Sequence, residues 1–258
     1  MTNKQFYRHG FTLVELLIAI TIGILVVSAA TAFIQRTVSE SKKISDSAML
    51  QQTAFFVSHM LNQHIRQAGY KGIDTSLIKG RLLPIAKNKD LFPLVDGVWL
   101  EGQFLKAEAD SISFRFNGSS DSDGLADGSI VDCSGNSVAA GTIEQISFMH
   151  VDNKIICMGN TVQETIVGSD ERLTISELVI NLGIDETNDG SIERYVDAAV
   201  ATDSDFAATR EVVIRLLMVS TQALDAMGRQ YQFNHALIDY PDNHYRREVV
   251  VRSALRNL

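Results

Sequence analysis

Residues 11–34 read FTLVELLIAITIGILVVSAATAFI, an apolar run of 24 residues broken by one charge, Glu15. As a helix at about 1.5 Å per residue it is roughly 36 Å long, enough to cross a hydrocarbon core of about 30 Å. The preceding ten residues, MTNKQFYRHG, carry Lys4 and Arg8 and no acid. A basic leader stays on the cytoplasmic side, so the remainder is expected to be exported. A secretory signal has a shorter apolar core and a small-residue cleavage site at its far end. Here the run extends about a turn too far and no such site follows cleanly. Glu15 is costly inside hydrocarbon, about 2.5–3.5 kcal/mol by insertion scales. Two readings follow from the residue alone. Either it lies near the interface and snorkels or takes a proton, or another subunit supplies a partner charge.

The rest of the chain has ordinary globular composition. Of 258 residues, 45% are hydrophobic and 21% charged, which excludes wholesale disorder. Only 3 prolines exclude a Pro-rich low-complexity chain. The net charge of -8 provides no general basic surface for nucleic-acid backbone. Two cysteines exclude a Cys-rich scaffold and a Cys-based four-ligand zinc site.

From Ser41 to Ala68 there is no Pro and no Gly. Leu50, Ala54, Val57, Leu61 and Ile65 fall three or four apart, which predicts a core-facing helical stripe. Met49, Phe56 and Met60 are expected to widen it. Gly69 is placed to end the helix, with Arg66 in the last turn. Pro84 and Pro93 punctuate the irregular segment 70–110, and Trp99 reads as packing. Strand-like runs follow: Ile112, Phe114 and Phe116; Ile143, Ile146 and Phe148; Ile155 and Ile156; 178–180; 212–217; and 248–252. One long helix and then many short strands argue an α+β fold with antiparallel sheet.

The N-terminus carries a resemblance. Gly10 followed by Phe11-Thr12-Leu13-Val14-Glu15-Leu16-Leu17-Ile18-Ala19-Ile20 resembles the class III signal of type IV pilins and type II secretion pseudopilins. The resemblance covers about 25 residues. It implies cleavage between Gly10 and Phe11 by a prepilin peptidase, which also methylates the new amine on Phe11. It implies that Glu15 pairs with a neighbouring subunit's N-terminus during assembly. The implied fold is pilin-like, a long N-terminal helix packed on an antiparallel β-sheet head. The implied organisation is a leader at 1–10, the membrane half of the helix at 11–34, its amphipathic half at 35–69 and a head at 70–258. The implied place is the inner membrane, single-pass with a periplasmic head, and then the pilus at the cell surface.

Further segments resemble the PilW type of minor pilin: Ile65-Arg66-Gln67-Ala68-Gly69-Tyr70, Asp132-Cys133-Ser134-Gly135, Gly183-Ile184-Asp185 with Arg194-Tyr195, and 251–257. This implies a minor pilin that primes pilus assembly at the tip. Its implied partners are other minor pilins, the major pilin and a tip adhesin. A J-type pseudopilin of a type II secretion system is the alternative, and a membrane-anchored periplasmic enzyme a further one. In an exported region Cys133 and Cys157 are expected to pair, as minor pilins commonly carry a bridge; the alternative is two separately buried thiols.

Two acidic Gly-containing loops are candidate cation sites or polar turns. Asp121, Asp123 and Asp127 surround Gly124. Asp185, Thr187, Asp189 and Glu193 stand at positions 1, 3, 5 and 9 of an EF-like loop with Gly190 at position 6, which makes calcium the candidate ligand. Val196 stands where the bidentate Glu of position 12 would be. No GxSxG, HExxH, Walker-type or GxGxxG pattern occurs, so no enzyme activity is expected. Arg246, Arg247, Arg252 and Arg256 read as strand-edge charges rather than a nucleic-acid patch.

Overall fold

The structure is a computed structural model that describes residues 12–72, 91–121, 123–168, 172–223, 229–242 and 244–256. Two compact units divide the chain, Met1–Ser47 and Ala48–Leu258. The leader, Gly10, Phe11 and Pro84 lie outside the described residues.

Helix α1 runs Leu13–Gln67, 55 residues without a break. In the first unit its residues 13–38 are exposed all round. An 18-residue window there reaches a mean hydropathy of 2.5, and none of it is buried. Such a surface is unfavourable in water and asks for lipid or neighbouring helices. The hydroxyls of Thr21, Thr31 and Thr37 donate to Ile18 O, Val27 O and Phe33 O at 2.8–2.9 Å. These polar groups therefore need no water, which suits a bilayer helix.

In the second unit α1 is amphipathic as its spacing requires. Leu50, Ala54, Val57, Leu61 and Ile65 are all buried in one core. Phe56 departs from expectation: it is 53% exposed and does not widen the buried stripe. It lies about 100° round the helix from Val57, on the edge of the covered arc. Gly69 ends the helix with φ +70°, a left-handed cap that glycine adopts without strain. Its N–H donates to Arg115 O at 2.9 Å, so the chain leaves the helix already bonded to a strand.

That strand belongs to a five-stranded antiparallel sheet, β1 (Leu105–Ala107), β2 (Ser111–Asn117), β3 (Ile143–Val151), β4 (Lys154–Met158) and β5 (Gln163–Val167), in that spatial order. Ile112, Phe114 and Phe116 alternate into the core that also takes the α1 stripe. The second sheet is built from β6 (Leu173–Ile184), β7 (Arg194–Asp197), β8 (Thr209–Ala223) and β11 (His244–Ala254), ordered β11-β8-β6-β7 and antiparallel throughout. A short helix, α2 (Asp203–Ala208), precedes β8, with a capping box between Thr202 and Asp205. Strands β9 (Arg229–Phe233) and β10 (Ala236–Tyr240) form a separate hairpin. The α+β reading with antiparallel sheet holds, and every strand-like run of the sequence lies in a strand.

Two details differ from the sequence reading. Arg246 is not a solvated edge charge: its side chain is buried, pairs with Asp242 and stacks 3.9 Å from the Tyr240 ring centroid. Strands β1, β5, β7, β9 and β10 carry no strong apolar run, so the residue pattern does not mark them.

Candidate functional site

The first turn of α1 is built by a reciprocal pair. Glu15 N donates to Thr12 Oγ1 at 3.2 Å, and Thr12 N donates to Glu15 Oε2 at 2.9 Å. The Thr12 hydroxyl also donates to Glu15 Oε2 at 3.0 Å. This is a capping box: two of the orphan N–H groups at a helix start are satisfied by each other's side chains. Thr12-Leu13-Val14-Glu15 carries the sequence pattern for it, S/T-x-x-E, a signal that the reading of Glu15 as a partner charge passed over. The arrangement fixes the carboxylate at the helix N-terminus, where the helix dipole favours negative charge. Gly10 and Phe11, the residues expected at the cleavage site, fall outside the described residues.

The prokaryotic N-terminal methylation motif matches residues 6–31, which contain Gly10, Phe11, Thr12 and Glu15. The N-terminus carries the methylation motif of type IV prepilins. No curated protein matches the chain. Among solved structures, a type IV-like pilin from Thermus thermophilus aligns with a TM-score of 0.47 at 10% identity, covering 82% of this chain and 96% of that one. The chain thus opens on this motif and continues as one long helix, apolar in its first half, before its antiparallel sheets.

Cys133 and Cys157 form a disulfide with Cα atoms 5.8 Å apart. Cys157 sits on β4, and Cys133 sits in a tight turn organised by Asp132. The Asp132 carboxylate accepts from Ser134 N at 2.9 Å and Asn136 N at 2.8 Å. Gln67, the last residue of α1, binds the same turn. Its amide nitrogen donates to Val131 O at 3.1 Å and to His64 Nδ1 at 3.2 Å, and its oxygen accepts from Val131 N at 3.2 Å. His64 is 2% exposed, its ring centroid 5.6 Å from that of Phe148. Burial pulls its pKa down to about 4 despite the Asp132 charge, and the N–H that Gln67 donates to Nδ1 favours the neutral ring. It is a neutral core histidine.

The structure brings Asp185, Asp189 and Glu193 together, each offering an oxygen within 4.8 Å of the others. The same atoms also hold the loop. Asp185 is 2% exposed and accepts from Asp189 N at 3.1 Å and Gly190 N at 3.0 Å. Arg210 Nε donates to Asp185 Oδ2 at 3.3 Å. Thr187 donates to Glu193 Oε1 at 3.0 Å, and Glu186 N to Glu193 Oε2 at 2.8 Å. Backbone N–H and hydroxyl bonds from Ser191 hold the Asp189 carboxyl below its ordinary value. A cation here would compete with the Arg210 guanidinium for Asp185. In the first acidic loop two of the carboxylates likewise bond their own turn: Asp121 accepts from Asp123 N and Leu125 N, and Asp127 from Ser129 and Ser119.

Proposed function

We propose that this chain is a minor pilin of a type IV pilus. Prepilin peptidase would cut between Gly10 and Phe11 and methylate Phe11. Before assembly residues 11–34 anchor the chain in the inner membrane, with the 70–258 region on the periplasmic side. The chain then passes into the pilus near its tip, where it primes assembly with other minor pilins and the major pilin. Glu15 would meet a neighbour's methylated N-terminus as the helices pack. The second unit would present surfaces that select neighbours or carry a tip adhesin, and no covalent chemistry is assigned to it.

The observation that supports this reading is the direct run of the prepilin motif into a helix whose residues 13–34 are all exposed and carry one charge, Glu15. Such a helix has two favourable environments, a bilayer and a bundle of like helices. A prepilin passes from one to the other.

The test is deletion of the gene with surface pili counted by electron microscopy. Loss of most pili, restored by the wild-type chain, is the expected result. Normal pili with loss of protein export would assign the chain to a type II secretion system instead. Mass spectrometry of the mature chain should find methylated Phe11 at its start.

A further inference from the structure

The second unit carries an apolar projection and an apolar groove on different faces. The projection is the 94–100 turn. Leu94, Val95, Val98 and Leu100 lie between 44% and 56% exposed, four aliphatic side chains turned to solvent within seven residues. The turn is rigidly seated. Val95 and Trp99 bridge across it, and Gly97 takes φ +72° at its tip. Beneath it lies Arg115 of β2, 3% exposed, donating to Pro93 O at 2.8 Å, Gln103 O at 2.9 Å and Leu100 O at 3.3 Å. Its guanidinium stacks 4.6 Å from the Trp99 ring centroid, and Trp99 Nε1 donates to Gln145 of β3 at 2.9 Å. Arg115 and Gln145 are cross-strand partners, and both alternate with core residues. The turn therefore sits on the face of the five-stranded sheet opposite α1.

The groove is on the α1 side, at the other end of the strand order. It has a volume of about 310 Å³ and is lined by Met49, Gln52, Thr53 and Phe56 of α1, Ile166 and Val167 of β5, and Leu173 of β6, with Thr53 and Gln52 its polar side chains. This accounts for the exposed Phe56: it forms a wall of the groove rather than part of the core. Lys154 stands at one end, its Cγ 2.7 Å from where a Cβ on Gly168 would lie, and it is exposed. The projection is flanked by Asp96 and Glu101, both exposed. The two surfaces are thus complementary in both hydrophobicity and charge.

We propose that the 94–100 turn of one copy seats in the groove between α1 and β5 of a second copy, with Asp96 facing Lys154. Because β2 and β5 are three strand spacings apart, about 14 Å, and the projection and groove use opposite faces, the contact is heterologous. Each copy has a free groove and a free projection after pairing, so copies add head to tail. This rests on the reading of the chain as a pilin that enters the filament near its tip, and it requires more than one copy there, joined by a side-to-side contact outside the helices.

The test uses the full chain in the inner membrane, carrying Val98→Cys, Thr53→Cys or both. The chain has two native cysteines and they are bonded to each other, so the introduced thiols are the free ones. Mild oxidation is expected to give a ladder of multimers from the double variant, a dimer from the two single variants co-expressed, and no dimer from either alone. A Lys154→Glu change should lower the yield on the order of two- to fivefold, the range of an exposed ion pair, and Asp96→Lys in the same chain should restore it. No ladder from the double variant, a dimer from Val98→Cys alone, or an adduct of another mass overturns the proposal. Pili are counted separately in the same strains. A ladder alongside normal pili in the deletion strain would keep this contact and sink the pilus reading instead.

Discussion

Thr12 and Glu15 close the first turn of α1 on each other, the Thr12 N–H 2.9 Å from Glu15 Oε2 and the Glu15 N–H 3.2 Å from Thr12 Oγ1. Glu15 therefore has a task within its own chain besides the intersubunit one proposed for it. The two are separable, because a glutamine at this position still completes a capping box but carries no charge.

Glu15→Gln is expected to insert normally and to fail in assembly, like Glu15→Ala. Removing the charge makes the span more apolar, so insertion is not impaired. Loss of the cap alone costs about 1 kcal/mol. Thr12→Val, which disrupts the cap and leaves the carboxylate, should therefore reduce incorporation into pili far less. Membrane fractions and sheared pili probed in parallel give the comparison. Wild-type incorporation of Glu15→Gln would show that the carboxylate acts only as a cap.

The Cys133–Cys157 bridge closes a sequence separation of 24 residues. In the chain-entropy model that contributes about 3 kcal/mol. Replacing both cysteines by alanine should lower the stability of the purified full chain by that order, measured by urea unfolding. Alkylation of either native cysteine without reductant would show that the bridge is not formed.

His64 makes the second unit sensitive to acid. Its folded pKa is near 4, below an unfolded value of about 6.5. The unfolded chain therefore binds the proton more readily. The contribution is fully present above pH 6.5 and is lost progressively as pH falls toward 4, amounting to about 3 kcal/mol at the limit. Stability measured from pH 7.5 to 4.5 should fall. His64→Leu, which cannot titrate, should flatten the slope; an unchanged slope would assign the acid sensitivity elsewhere.

At the 185–193 loop, Arg210 already supplies a positive charge 3.3 Å from Asp185. Calcium is expected to bind there only in the range of weak extracellular modules, about 10⁻⁴–10⁻³ M. Arg210→Gln should tighten it, and Asp189→Ala should abolish it, as read by isothermal titration. No saturable heat in either the wild type or Arg210→Gln would leave the loop as a turn held by its own hydrogen bonds.

The long helix, the prepilin signal and six of the strands were legible in the residues because their signals are local. A 24-residue apolar run has few stable environments, and a stripe at Leu50, Ala54, Val57, Leu61 and Ile65 has one period. Strands such as β5 and β7 were not legible, because edge strands are half solvated and depend on a neighbour for their hydrogen bonds.

The pattern of residues by itself determined the apolar half of the long helix, the Thr12–Glu15 box and the alternation that builds the sheets. Only the tertiary structure decided what each exposed or charged side chain does. Phe56 and Val57 are adjacent, yet one walls a groove and the other is fully buried. Arg115 stands between Phe114 and Phe116 on the other face of β2, where it holds three carbonyls of a turn 12 to 22 residues earlier in the chain. The reason is that helical period and strand alternation are properties of a few neighbouring residues. Burial, in contrast, depends on which distant segments arrive on the same face, and no local pattern encodes that.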